Sequence, residues 1–343
     1  MQRRTFFTFT AASTATLAMP VMAGAALAED DTDHDSTDRR GREATGGLDA
    51  ALRRFLALAG TKSYLIHVGL GGVLRRIEHQ PGLLLSTASA YKTFVLGQYL
   101  RDVEASRLSE DEQLAIDDSV RMIGSPTFIE LAGTTEARVV LEAMIAHSDN
   151  VATDRATLEV GADRVRALIA EAGLSSIRIP DSTRIFLSYI LGEPAGVDLG
   201  WPGIANAFKN QPVPVRSLLN DVITMAGSAR DFVSWYEQAL RGAFFAKRET
   251  LTEFKRIQAT AAQIAKAVPP DTPAYAKGGE FNFRGPNAKS FAGQIVVGGD
   301  GRTPVTFCFI VNWKGPVEGF PAVESEFFAS IKDVLSVIKQ LFR

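Results

Sequence analysis

Strand-type patterning stands at both ends of this chain and helix-type spacing fills the middle, and that order limits the folds open to it. Residues 63–69 and 73–79 read as two strands joined by Gly69-Leu70-Gly71-Gly72, a hairpin signal. Residues 274–281, 290–298 and 305–314 read as three more, parted by Gly285-Pro286 and Gly299-Asp300-Gly301. Between them, Phe94, Val95, Leu96, Tyr99 and Leu100 recur with helical spacing after Ser89, and residues 109–175 read as helical throughout. Within that block Thr135-Glu136 opens one helix, Asp149 a second, and Gly161–Ala172 forms a third that Gly173 stops. Ser228 with Asp231 is a capping box, and Lys247–Ala267 reads as one long helix ended by Pro269-Pro270. Short helices at 51–58 and 325–342 flank the two strand regions. Half-buried strands at opposite ends of a chain hide their apolar faces by pairing into one sheet. The expected fold is therefore α+β: an antiparallel sheet from 48–106 and 272–343, terminal helices on one face, and an all-helical insertion over 107–271. A cleft should open where the two parts meet.

The first residues belong to a different argument. Arg3-Arg4-Thr5-Phe6-Phe7 is a twin-arginine pair with aromatics, an uncharged apolar stretch follows, and Ala26-Leu27-Ala28 is a small-x-small cleavage site. Residues 1–28 thus read as a Tat export signal, which implies a periplasmic or secreted protein with no stable membrane insertion once cleaved. Residues 29–47 are acid-rich without apolar periodicity and read as a disordered linker. A net charge of -2 excludes a basic surplus for nucleic acid. One cysteine, Cys308, excludes an internal disulfide, and four histidines without ligand spacing imply no metal site and no cofactor.

The chemistry-bearing stretch is Ser89-Ala90-Tyr91-Lys92, where a loop becomes a helix. Positions three apart share a helix face, so the Ser89 hydroxyl and the Lys92 amine can meet. A serine hydroxyl is a weak nucleophile until a neighbour takes its proton, and a lysine does this only when burial or another cation lowers its pKa. Two later stretches bear on this pair: Ser148-Asp149-Asn150 between two helices, and Lys277-Gly278-Gly279 on the first C-terminal strand.

Taken together, these three motifs, in this order, resemble those of the penicillin-recognising serine hydrolases, above all the class A β-lactamases. The resemblance covers the chain from Leu48 onward and implies a β-lactamase/transpeptidase-like fold. It implies that Ser89 is acylated, Lys92 takes or relays its proton, and Ser148 passes a proton to the departing nitrogen. Asn150 and Lys277 would bind substrate, Lys277 also keeping Lys92 neutral and attracting a substrate carboxylate. Gly279 would let substrate lie against the strand. The backbone N–H groups of Ser89 and Glu280 would form an oxyanion hole. Asp149 would hold the loop. The implied partner is a small-molecule β-lactam, or a related amide or ester, bound by a monomer.

This chain departs from the family's pattern twice. Gly278 stands where the family usually has serine or threonine, so a hydroxyl that helps hold the substrate carboxylate is missing, with Arg284 a candidate replacement. No glutamate stands near Arg184, where the water-activating glutamate is expected; Glu193, in a later Glu-Pro pair, is one candidate deacylation base and Asp181 another. The run Pro180 to Phe186 resembles a divergent subgroup that lacks this glutamate and includes esterases. Three outcomes stay open: β-lactam hydrolysis, D,D-peptidase or esterase activity through the same pair, and an acyl-trapping protein without turnover. The stretch from Phe186 to Arg216, rich in glycine and proline, reads as a long loop that either walls the cleft or packs over the helices.

Overall fold

A computed structural model describes residues 46–342 except 71–72, 211–214, 284, 299–300 and 302. The export signal, most of the acidic linker and Arg284 lie outside the described residues. The first helix, α1 at 46–56, starts two residues inside the stretch expected to be disordered.

Five antiparallel strands form the sheet: β1 (Thr61–Leu70), β2 (Val73–His79), β7 (Ala274–Asn282), β8 (Gly285–Val297) and β9 (Thr303–Gly315), while the two-residue strands β3 (Leu85–Ser86) and β6 (Ala226–Gly227) pair apart from it. Their order is β2-β1-β9-β8-β7, so the two ends of the chain do pair, through Leu65 opposite Cys308 and its neighbours. Alternation along β9 assigns the faces. Phe307, Phe309 and Val311 pack with Leu52 and Phe55 of α1 and with Phe327, Ile331 and Leu335 of the closing helix α11 (Phe320–Gln340). Cys308 and Ile310 point the other way, into the core of the helical part. Burying each such phenylalanine stabilises the fold by about 2 kcal/mol. Cys308 is fully buried, and burial pushes its thiol well up from the usual range, as expected of an inert core cysteine.

The helical part is built round α2 (Lys92–Glu104), where Lys92 to Leu100 are all buried. A helix buried on every side needs close neighbours. At Gly97 a methyl group would lie 2.9 Å from the Trp235 ring, so glycine is what lets α8 (Ala229–Leu240) approach. The capping box is half made: the Ser228 hydroxyl accepts from Asp231 N–H, but the Asp231 carboxylate turns to Ser176, whose hydroxyl accepts the Ser228 N–H.

Three expectations need correction. The block 109–175 is not all helix: β4 (Gln113–Ile116) and β5 (Gly133–Glu136) pair as a hairpin ahead of α3 (Ala137–Ala146), α4 (Asn150–Val160) and α5 (Ala162–Glu171). The exposed-buried alternation of β4 runs for four residues, too short to stand out from helical spacing on either side. The helix expected over 247–267 breaks into α9 (Arg248–Gln258) and α10 (Gln263–Ala267), because Ala262 N–H leaves the helix to bond Ala146 O at 3.0 Å. The stretch 186–216 is not a structureless loop. It holds α6 (Thr183–Ile190), capped by the Ser182 hydroxyl, and α7 (Gly200–Asn210). Its Gly192, Pro194 and Gly196 lie between the two helices and Gly200 opens the second, so they punctuate the helices rather than forbid them. Among the described residues no helix is long and apolar enough to cross a membrane.

Candidate active site

Ser89 lies in a tight 3-10 turn, Ala88–Tyr91, that leads into α2, rather than in the α-helix itself. Ala88 has φ +45, a left-handed conformation unusual for alanine, and such strain persists only where surroundings enforce it. Here they do: Thr87 N–H bonds Met225 O at 2.9 Å, and the buried Ser290 hydroxyl on β8 donates to Thr87 O at 2.7 Å. Ala88, Ala90 and Tyr91 are buried, while Ser89 opens into a cleft of about 310 Å³.

Edge strand β7 runs beside this turn. A methyl group on Gly279 would fall 2.1 Å from Thr87 O and 2.7 Å from Ser89 N, so only glycine permits the approach. Gly278 O accepts from Lys277 Nζ at 2.6 Å and so points off the free edge. In an antiparallel strand a residue's N–H and C=O point the same way and alternate along the chain. Glu280 N–H therefore faces the cleft, beside Ser89 N–H.

The turn between α3 and α4 supplies the third side. Ser148 also has a left-handed φ, +58. It is held by Asp149, whose buried carboxylate accepts from Ala152 N–H at 2.9 Å, Thr127 N–H at 2.9 Å and Phe128 N–H at 3.0 Å. The Ser148 hydroxyl receives Lys277 Nζ at 2.9 Å and lies 3.4 Å from Lys92 Nζ. Lys92 Nζ also donates to Ser148 O at 2.6 Å and Asn150 Oδ1 at 2.7 Å, and Asn150 Nδ2 donates to Ile123 O at 2.9 Å. The Lys92 head is thus turned to Ser148 and Asn150, not to the Ser89 hydroxyl one turn back. Carbonyl oxygens are better acceptors than a hydroxyl, and catalytic contacts commonly tighten only with substrate.

Both lysines are fully buried. Burial lowers the Lys92 amine to about 7, against the pull of Asp149, Asp154 and Glu280 that favours its charge. Burial, then the neighbouring Lys92, lowers Lys277 well below the usual lysine range. A neutral Lys92 has two hydrogens for its two carbonyl acceptors and a lone pair left for a hydroxyl. Lys277 does not line the cleft, so its expected hold on a substrate carboxylate meets a head already committed to Ser148 and Gly278 O.

The sequence reading missed Asp154. It lies one helical turn beyond Asn150 on α4, the spacing that could have revealed it. Its carboxylate accepts from Thr183 N–H at 2.6 Å and Arg184 N–H at 3.1 Å, tying α6 to the site, and burial raises it to about 6. Of the two readings of the stretch that begins at Phe186, the cleft-wall one holds for Phe186, Leu187 and Phe208, which line the cleft from α6 and α7.

The two candidate deacylation bases are not brought in. Glu193 lies past the end of α6, where its backbone carbonyl binds Arg216 Nη1 at 2.7 Å, and it does not line the cleft. Asp181 is exposed and paired with Arg166. Arg184 instead anchors this segment, through Asp198 Oδ2 at 2.6 Å and the carbonyls of Asp118 and Ser119. Among the described residues lining the cleft the one carboxylate is Glu280, which pairs with Lys289 at 2.5 Å. No group of three or more His, Cys, Asp or Glu side chains among the described residues could hold a metal ion.

An antiparallel sheet with this helical insertion and a serine turn at their junction is the fold of the class A β-lactamases. Similar solved structures include a β-lactamase from Chitinophaga pinensis (TM-score 0.65, 15% identity, 87% of this chain and 100% of that one). A β-lactamase from Xanthomonas campestris (0.64, 13%, 86% and 98%) and the protein PBP-A (0.64, 14%, 86% and 97%) are similar to the same degree. No curated protein matches the sequence at a significant level. The family profile described as "Beta-lactamase enzyme family" matches residues 49–296, and the chain belongs to that family.

Proposed function

We propose that this protein is an acyl-enzyme serine hydrolase that opens the amide bond of β-lactams through Ser89. The observation that carries this is the convergence at Ser148: two buried lysine heads meet its hydroxyl, while Gly279 of the Lys277 strand packs against Ser89 N. The Ser89 oxygen bonds the carbonyl carbon, the C–N bond breaks, and the Ser89 proton leaves through neutral Lys92 and Ser148 onto the departing nitrogen. Ser89 N–H and Glu280 N–H hold the developing oxyanion, each worth about 3 kcal/mol in such sites. Asn150 orients substrate and Lys92 together. Water then delivers its hydroxyl to the acyl carbon and its proton back to Ser89. The twin-arginine leader would carry the enzyme to the periplasm or outside the cell.

A second reading is slow deacylation or ester cleavage. It is favoured by the cleft's single described carboxylate being tied to Lys289 and by Glu193 standing outside. The similar PBP-A, as its L158E mutant, has been seen as an acyl-enzyme complex with penicillin G. One experiment separates the readings: purified protein is mixed with a chromogenic cephalosporin while colour and protein mass are followed. Continued colour release indicates a β-lactamase; a stable adduct on the Ser89 peptide indicates a trap; neither, with cleavage of simple esters, indicates an esterase. Any of these surviving Ser89→Ala would remove Ser89 as nucleophile.

A further inference from the structure

The wall facing Ser89 is made of aromatic rings in mutual contact, drawn from elements far apart in sequence. Phe186 on α6 meets Phe281 on β7 edge-on, with centroids 6.0 Å apart. Phe281 meets Phe283 at 6.1 Å, and Phe283 meets Phe208 on α7 at 5.1 Å. All four rings line the same cleft as Ser89, with Met122 and Met225 completing its apolar surface. Phe186 and Phe283 are buried and Phe281 and Phe208 half-buried, so each ring packs on the core with one side and borders with the other a space that opens to Ser89. The space does not end there. A second hollow of about 740 Å³ shares Phe208, Asn282 and Phe283 with the cleft and continues along Gly315 to Glu318.

Charge is distributed the opposite way. Among the described residues lining the cleft none is a lysine or arginine, and Lys92 and Lys277 are fully buried with their heads on Ser148. A carboxylate at the end of a substrate arm would meet apolar rings, the Glu280 carboxylate and the neutral side chains of Thr183 and Asn282, with no described cation beside it. Gly278, whose missing hydroxyl the sequence already marked, adds no side-chain donor.

We infer that, within the hydrolase reading above, the substrate carries an uncharged apolar acyl arm of about six carbons or more that lies along the Phe186–Phe281–Phe283–Phe208 wall. Each methylene taken from water by such a wall favours the transition state as well as the ground state, so kcat/KM rises with acyl length until the wall is covered. A charged end on the arm removes the gain, because among the described lining residues no cation replaces its water, only neutral groups such as Thr183 and Asn282.

The test uses p-nitrophenyl acetate, butyrate, hexanoate and octanoate, a half-ester of the hexanoate length ending in a carboxylate, and the Ser89→Ala control. The expected result is Ser89-dependent hydrolysis whose kcat/KM rises at least tenfold from acetate to hexanoate, with the carboxylated analogue at least tenfold below hexanoate. Phe208→Ala, at a half-exposed position and checked by its melting curve, should cut the hexanoate-to-acetate ratio at least threefold. Ser89-dependent hydrolysis that is flat or falls with length overturns the apolar arm and leaves the nucleophile standing. So does Ser89 acylation by the cephalosporin with no ester of any length cleaved. No Ser89-dependent reaction with any ester or the cephalosporin overturns the arm and the hydrolase reading together.

Discussion

The two walls of the cleft are built from different materials. Beside Ser89 the β7 wall is backbone: Gly279 against Ser89 N, Gly278 O on Lys277, and Glu280 N–H turned to the cleft, with the Phe281 ring joining only further along. The α6–α7 wall is side chains, Phe186, Leu187 and Phe208, carried by helices whose anchoring runs through Arg184 and Asp154. Backbone groups have no rotamers to lose and their geometry comes with the sheet ladder, so that wall suits charge stabilisation common to every acyl transfer. Side chains can change without altering the ladder, so the other wall is where preference for one substrate over another resides. Backbone beside Ser89 thus serves chemistry common to the family, while side chains from α6, α7 and the end of β7 serve substrate choice.

Breaking the backbone wall should have the largest effect. Gly279→Ala places a methyl inside Thr87 O and displaces Ser89; acylation should fall more than about a hundredfold and the melting temperature should drop, overpacking costing about 1–3 kcal/mol. Calorimetry and single-turnover mass spectrometry check both halves. Normal acylation by this variant would show that Gly279 does not fix the serine turn.

Removing the base ranks next. Lys92→Ala should slow acylation by about 10²–10⁴-fold, the usual worth of a positioned general base. In the unaltered protein the sign of the pH effect follows from the lowered Lys92. Only the neutral amine accepts a proton, so the acylation rate should fall tenfold per unit as pH drops below about 7 and level off above it. A profile flat from pH 5 to 9 would remove Lys92 from the proton path.

A smaller effect sharpens the comparison across the walls. Asp154 favours the charged form of Lys92, so Asp154→Asn should move that acid limb to lower pH by less than about one unit. Asp154 receives the Thr183 and Arg184 N–H groups on separate oxygens, and asparagine keeps only one of them, so stability should also fall by about 1–3 kcal/mol. An upward shift would mean that Asp154 acts on α6 rather than on the amine. Smallest of all, Glu193→Gln should leave deacylation within about twofold, because the side chain lies outside the cleft; a larger loss, read as accumulating acyl-enzyme, would place Glu193 in the water path after all.

The pairing of strands from the two chain ends and a mainly helical insertion were legible in the residues, and the approach of Lys92 and Lys277 to Ser148 followed from the resemblance to the class A β-lactamases. Periodicities of two and 3.6 report which faces are buried, and short motifs report chemistry that depends on few atoms. The β4–β5 hairpin and the α6–α7 helices were not, since four alternating residues and glycine-punctuated helices look like their surroundings until other elements cover them. Asp154 stayed hidden because a carboxylate in a polar helix reads as solvated until the fold buries it.

By itself, then, the sequence determined the α+β plan through local spacing, and it pointed to Ser89, Lys92, Ser148 and Lys277 through three motifs that resemble those of the class A β-lactamases. Only the tertiary structure decided which of those groups share a surface. Phe186, Phe208, Phe281 and Phe283 come from three separate stretches and make a wall only after the helices dock on the sheet, while Glu193 ends outside because α6 carries it past the cleft. Proximity between residues distant in the chain is set by packing, and no local pattern records it.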